Sequence, residues 1–108
     1  MVAMPTPELR KYMEDIRAMP KLAAEDEPEL LQRARLRDDG ARRRVIEGYL
    51  VAVADAAVQR RPARMSEVDA VQEANVMWTA LVDNPAVGNP RWTFDSTIEV
   101  HLRALGPA

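Results

Sequence analysis

The 108-residue sequence has no cysteine, a single histidine and phenylalanine, and only four glycines. Without thiols there is no disulfide framework and no thiolate metal site, which fits a reducing compartment. His101 has no cysteine to activate and no second histidine to share a metal. Gly-x-Ser-x-Gly and phosphate-loop spacings are absent as well. A packed or half-exposed structural role is expected for His101, and neither an enzyme nor a cofactor- or metal-binding protein is expected. Long apolar runs are missing, and Met1-Val2-Ala3-Met4-Pro5 has neither the charged start nor the apolar centre of a leader, so a cytoplasmic protein is expected. Charge of one sign is missing too. Fifteen basic against seventeen acidic side chains leave a net charge of −2, which provides no global attraction to nucleic acid or to acidic membranes.

Hydrophobic residues make up 47% and charged residues 30%, the balance of a chain that buries a core. The length suits one small domain covering residues 1–108, with a frayed start over residues 1–5. Period-two alternation bounded by hairpin turns occurs nowhere, whereas apolar residues recur every three or four positions. The expected class is therefore all-α, a small helical bundle. Thr6 and Pro7 can open a first helix, which Met19-Pro20 ends. A second is expected over residues 25–37, in conflict with Pro28 unless it starts near Glu27 or is kinked. Asp38 or Asp39 can cap a long third helix over residues 41–61, stopped by Pro62. Residues 84–91, with two prolines and a glycine, read as loop. Asp95 or Ser96 then caps a last helix that Gly106-Pro107 stops.

The strongest helical signal lies over residues 66–82. Ser66 can cap it, Asp69 can close a capping box, and Glu67 and Asp69 put negative charge at its N-terminus. Val68, Val71, Ala74, Trp78, Leu81 and Val82 form an apolar stripe, while Asp69, Gln72, Glu73 and Thr79 lie largely on another face. Asp69-Ala70-Val71-Gln72-Glu73-Ala74-Asn75 resembles the D-L-I-Q-E-G-N stretch of the sigma factors of bacterial RNA polymerase. Upstream, the segment from Ala41 to Leu50 resembles the family's A-K-R-R-L-I-E-A-N-L. Tyr12 to Pro20 resembles Y-L-R-E-I-G-R-I-P, and Ala24 to Glu27 resembles A-E-E-E. The matches fall in one register.

The resemblance implies the N-terminal part of sigma domain 2 together with its preceding helices. It also implies a contact to the clamp helices of the beta-prime subunit through Val68, Asp69, Gln72, Glu73 and Asn75. Further along, Phe94 and Arg103 match the ends of the family's F-S-T-Y-A-T-W-W-I-R, and Trp92 takes the place of an aromatic residue. On this alignment Trp92 and Phe94 are candidate stacking groups for single-stranded promoter DNA, and Arg91 and Arg103 are candidate phosphate contacts. The family's tyrosine has become Thr97, and its tandem tryptophans have become Val100 and His101. Extracting a base from a duplex costs a few kcal/mol, which stacking returns at roughly 1–3 kcal/mol per base. Weakened or absent promoter melting is therefore implied.

Three functions remain open on these residues: a sigma domain active in initiation, a degenerate relative that competes for polymerase, and a helical interaction module unrelated to polymerase. Arg33, Arg35, Arg37, Arg42, Arg43, Arg44, Arg60, Arg61 and Arg64 form patches that either touch phosphates or make a solvated surface laced with acid from Asp38, Asp39 and Glu47. Glu14-Asp15 and Glu25-Asp26-Glu27 read as solvated helix positions rather than a cation site.

Overall fold

A computed structural model of the chain describes residues 7–105, except for the side chains of Trp92, Asp95 and Leu105. It is all-α, as expected. Among the described residues six helices follow in order: α1 (Pro7–Arg17), α2 (Glu27–Arg35), α3 (Asp39–Gly48), α4 (Leu50–Gln59), α5 (Glu67–Asp83) and α6 (Pro90–Leu105). The caps expected from Thr6 and the stop at Gly106-Pro107 lie outside the described residues, as does the frayed start. Among the described residues no helix is long and apolar enough to cross a membrane.

The conflict at Pro28 is resolved by a late start. With α2 beginning at Glu27, Pro28 falls in the first turn, where its missing amide hydrogen has no helical acceptor to lose. The helix also ends earlier than expected, at Arg35. Arg37 adopts a left-handed φ of 69°, the Asp38 N–H donates to the Arg33 carbonyl at 3.0 Å and the Arg37 N–H to that of Ala34 at 3.1 Å. This is the Schellman closure, with an arginine where glycine is usual.

The long helix expected over residues 41–61 is two helices. Asp38 caps the first by accepting from the Ala41 N–H at 3.0 Å, and the chain then leaves helical geometry at Tyr49. The break adjoins a tertiary contact. Gly48 lies against Leu22, so near that a Cβ at position 48 would sit 2.6 Å from the Leu22 Cβ. The strap leading into α2 passes over that glycine, and α4 starts afresh at Leu50.

At the far end α6 starts at Pro90, five residues before the expected caps. Asn89 Oδ1 accepts from the Arg91 N–H at 3.0 Å, and Pro90 supplies the fixed φ of a first helical position. Asp95 and Ser96 are therefore interior helix residues, and the Ser96 hydroxyl donates back to the Thr93 carbonyl at 2.9 Å.

α5 is the centre of the bundle and touches every other helix. Its buried face comprises Ala70, Val71, Ala74, Met77, Trp78 and Val82. Ala54 and Ala57 of α4 and Ile98 and Leu102 of α6 meet it as fully buried partners. Full burial of each large apolar side chain stabilises by about 1.5–3 kcal/mol, so this face accounts for much of what holds the helices together. The alanines let the helix axes approach.

Polar fastenings hold the far end of α5. Arg35 donates to the carbonyls of Leu81 and Val82, both at 3.2 Å, and to that of Gly88 at 3.1 Å. Arg42 makes a two-pronged pair with Asp83 at 2.7 and 3.0 Å. That pair raises the Arg42 guanidinium and lowers the Asp83 carboxyl relative to their ordinary values, in each case chiefly through the hydrogen bond between them.

Candidate functional site

The outer face of α5 begins at its cap. Ser66 Oγ accepts from the Asp69 N–H at 3.0 Å, leaving Glu67 and Asp69 in the first turn, where the helix dipole favours acid. Asp69 and Gln72 are exposed. The other three residues expected to join the contact are engaged by neighbouring elements. Val68 is half-buried and packs on the core. Asn75 turns toward α1, its Nδ2 donating to the Tyr12 hydroxyl at 2.9 Å. Glu73 turns toward α6, with Oε2 lying 3.7 Å from His101 Nε2. The open stripe is thus narrow, flanked by α1 on one side and α6 on the other. Val76, one turn beyond Gln72 and 64% exposed, continues it; helical spacing alone puts this valine outside the apolar stripe and beside Asp69 and Gln72, a signal present in the sequence.

The four residues expected to meet DNA are separated by the fold. Phe94 is a correction: only 4% exposed, it packs in the core against Trp78 and is no surface stacking group. The earlier start of α6 causes this, because it sets Phe94 on the same face as the fully buried Ile98 and Leu102. The side chain of Trp92 lies outside the described residues. Arg91 is half-buried, with Nη1 3.8 Å from Glu27 Oε2. Arg103 is exposed and paired with Glu99 one turn back at 2.6 Å.

At the substituted positions, Thr97 Oγ1 donates to the Thr93 carbonyl at 2.8 Å and lies 3.7 Å from the Met77 sulfur. Val100 is 69% exposed. His101 is half-exposed beside Glu73, in keeping with a structural role.

Glu27 is a second correction. Read as part of a solvated acidic helix start, it is 3% exposed. The Tyr49 hydroxyl donates to its Oε2, and Arg91 approaches the same oxygen from α6. Burial foremost, and then the bond to Glu27, push the Tyr49 hydroxyl up to about 12. No periodicity signals this cluster, because Glu27, Tyr49 and Arg91 meet only in the tertiary fold.

Several arginines of the basic patches are already engaged. Arg33 pairs with Asp38 at 2.7 and 3.0 Å, Arg35 and Arg42 fasten the end of α5, and Arg61 donates to the Met65 carbonyl at 2.7 Å. The Ala41 N–H, and after it Arg33, hold the Asp38 carboxyl below its ordinary value. Among the described residues no group of three or more histidine, cysteine or acidic side chains is placed to hold a metal.

Compared with protein-family models, with curated proteins and with solved structures, the chain gives no significant match.

Proposed function

We propose that the chain is a sigma-factor-like module of transcription initiation that binds core RNA polymerase through the clamp helices of beta-prime, with promoter melting weakened or lost. The reading rests on the resemblance over residues 12–75. The observation that carries it is the exposure of Asp69 and Gln72 on a helix whose opposite face is the bundle core. A helix gripped from behind offers its outer residues without reorganisation, which lowers the free energy needed to bind. Acid at Glu67, Asp69 and Glu73 suits a basic partner surface. Such a module acts in the cytoplasm by positioning, and it requires no catalytic residue or cofactor of its own.

The test is to change Gln72 and Glu73 together to alanine and measure binding to a beta-prime clamp-helix fragment. Both positions tolerate alanine as helix residues, so helicity should hold while binding is lost. Unchanged affinity would sink the assignment.

The burial of Phe94 supports the second version, in which the module occupies the clamp helices without opening DNA. On this reading single-stranded oligonucleotides carrying a consensus minus-ten sequence and a scrambled one bind equally weakly at fixed salt. A preference of about tenfold for the consensus, equivalent to ~1.4 kcal/mol, would instead indicate a working sigma domain.

A further inference from the structure

Between α1 and α5 lies a groove of about 250 Å³. Its apolar lining comes from Leu9, Val68 and Val71, with Tyr12 and Asn75 at its polar side and Glu8 and Gln72 among its remaining residues. Two independent observations bear on what would fill it. The first is an orphan acceptor. Asn75 donates its amide hydrogen to Tyr12, but its Oδ1 is buried without a hydrogen-bond partner. A buried carbonyl oxygen in that state is costly, and a donor brought in from outside would relieve the cost.

The second is charge. Among the described residues Glu8 is the ionic side chain of the groove and no cation lines it, and Asp69 and Glu73 follow along α5. A group with an apolar stem and a cationic, donor-rich head satisfies both. Lysine offers a compact, strongly hydrated charge. Arginine offers five N–H donors in a planar fork, able to serve a carboxylate and an amide oxygen together and to lie against the ring of Tyr12.

The geometry points to this groove as the receptor for an arginine side chain of the partner helix, its stem on Leu9 and Val71 and its guanidinium shared between Glu8 and Asn75 Oδ1. This rests on the polymerase reading for the identity of the partner and adds α1 to a contact assigned to α5 alone. Because Asn75 Oδ1 is closed off in the free protein, the amide has to turn toward the groove as the guanidinium enters.

Two measurements on the full chain test it separately from that reading. In the first, n-butylguanidinium and n-butylammonium are titrated while the Asn75 side-chain amide and the Val68 and Val71 methyl resonances are followed. The guanidinium should shift them at clearly lower concentration. No shift, or an equal response to both probes, overturns the inference. In the second, Glu8→Gln should weaken the clamp-helix fragment by about tenfold, ~1.4 kcal/mol, with the melting temperature unchanged.

If Gln72→Ala with Glu73→Ala weakens binding and Glu8→Gln does not, the groove inference falls and the polymerase reading stands. A response to guanidinium with no binding of the fragment to the unaltered chain has the opposite meaning: the groove is as inferred, and its partner is not polymerase.

Discussion

Phe94 of α6 meets Trp78 of α5 edge-on, with ring centroids 5.9 Å apart and planes at 89°. Tyr49 approaches the same indole from the other helix pair at 5.2 Å, so three of the chain's five aromatic rings form one stack through the core. Edge-to-face pairs of this kind add about 0.5–1.5 kcal/mol beyond the area they bury. Replacing Phe94 or Trp78 by alanine should therefore each destabilise the fold by about 3–5 kcal/mol in urea unfolding. A Phe94→Ala protein with unaltered stability would return that ring to the list of surface stacking groups.

A different kind of loss is expected at Arg35, whose guanidinium serves three backbone carbonyls at once. Arg35→Met keeps the aliphatic stem and removes every donor. The expected cost is about 2 kcal/mol, the scale of hydrogen bonds to a charged group. Arg35→Lys should recover only part of it, because an ammonium cannot span the three acceptors as the fork does. Amide exchange through residues 84–89 should quicken in both variants, since the loop loses its tie at Gly88.

Tyr49 makes stability sensitive to alkali. Its hydroxyl is raised in the folded protein from an ordinary value of 10.0 to about 12, because ionisation would place an anion in a partly buried site beside the Glu27 carboxylate. A group whose value rises on folding contributes stability that is whole below the unfolded value and vanishes as pH climbs through the folded one. Urea midpoints should thus decline between pH 10 and about 12. Tyr49→Phe should be less stable at neutral pH, since Glu27 loses its donor, and its midpoint should fall less over that interval. Equal slopes for the two proteins would show that the hydroxyl does not titrate in that window.

The sequence made the helical class and the helix α5 legible for a shared reason. The Ser66 cap and the repeat from Val71 to Val82 are local, and local signals survive when a tertiary environment agrees with them. The Pro28 conflict was legible in the same way. The break at Tyr49 was not, because neither residue of Gly48-Tyr49 stops a helix by itself. The break adjoins the passage of Leu22 across Gly48, a contact between residues far apart in the chain. At α6 the signal was present in Asn89-Pro90 but was outweighed by the surrounding prolines and glycine. The family alignment, which carries no information on burial, is what assigned Phe94 to the surface. Of the candidate site, the composition of the α5 face could be read in advance. Its partition between α1 and α6 could not, since Asn75 and Glu73 are drawn aside by Tyr12 and His101 across the bundle.

The break at Tyr49 has a bearing on how the chain holds together. It leaves α3 and α4 at ten residues each, beside an α2 of nine and an α1 of eleven. Helices shorter than about 12–15 residues are marginal in water on their own. Each of these four therefore depends on its packing against neighbouring helices, and the same packing holds the outer stripe of α5 in place. Such an arrangement has no separable working part. A fragment trimmed to the contact helix would forfeit the scaffold that aims it.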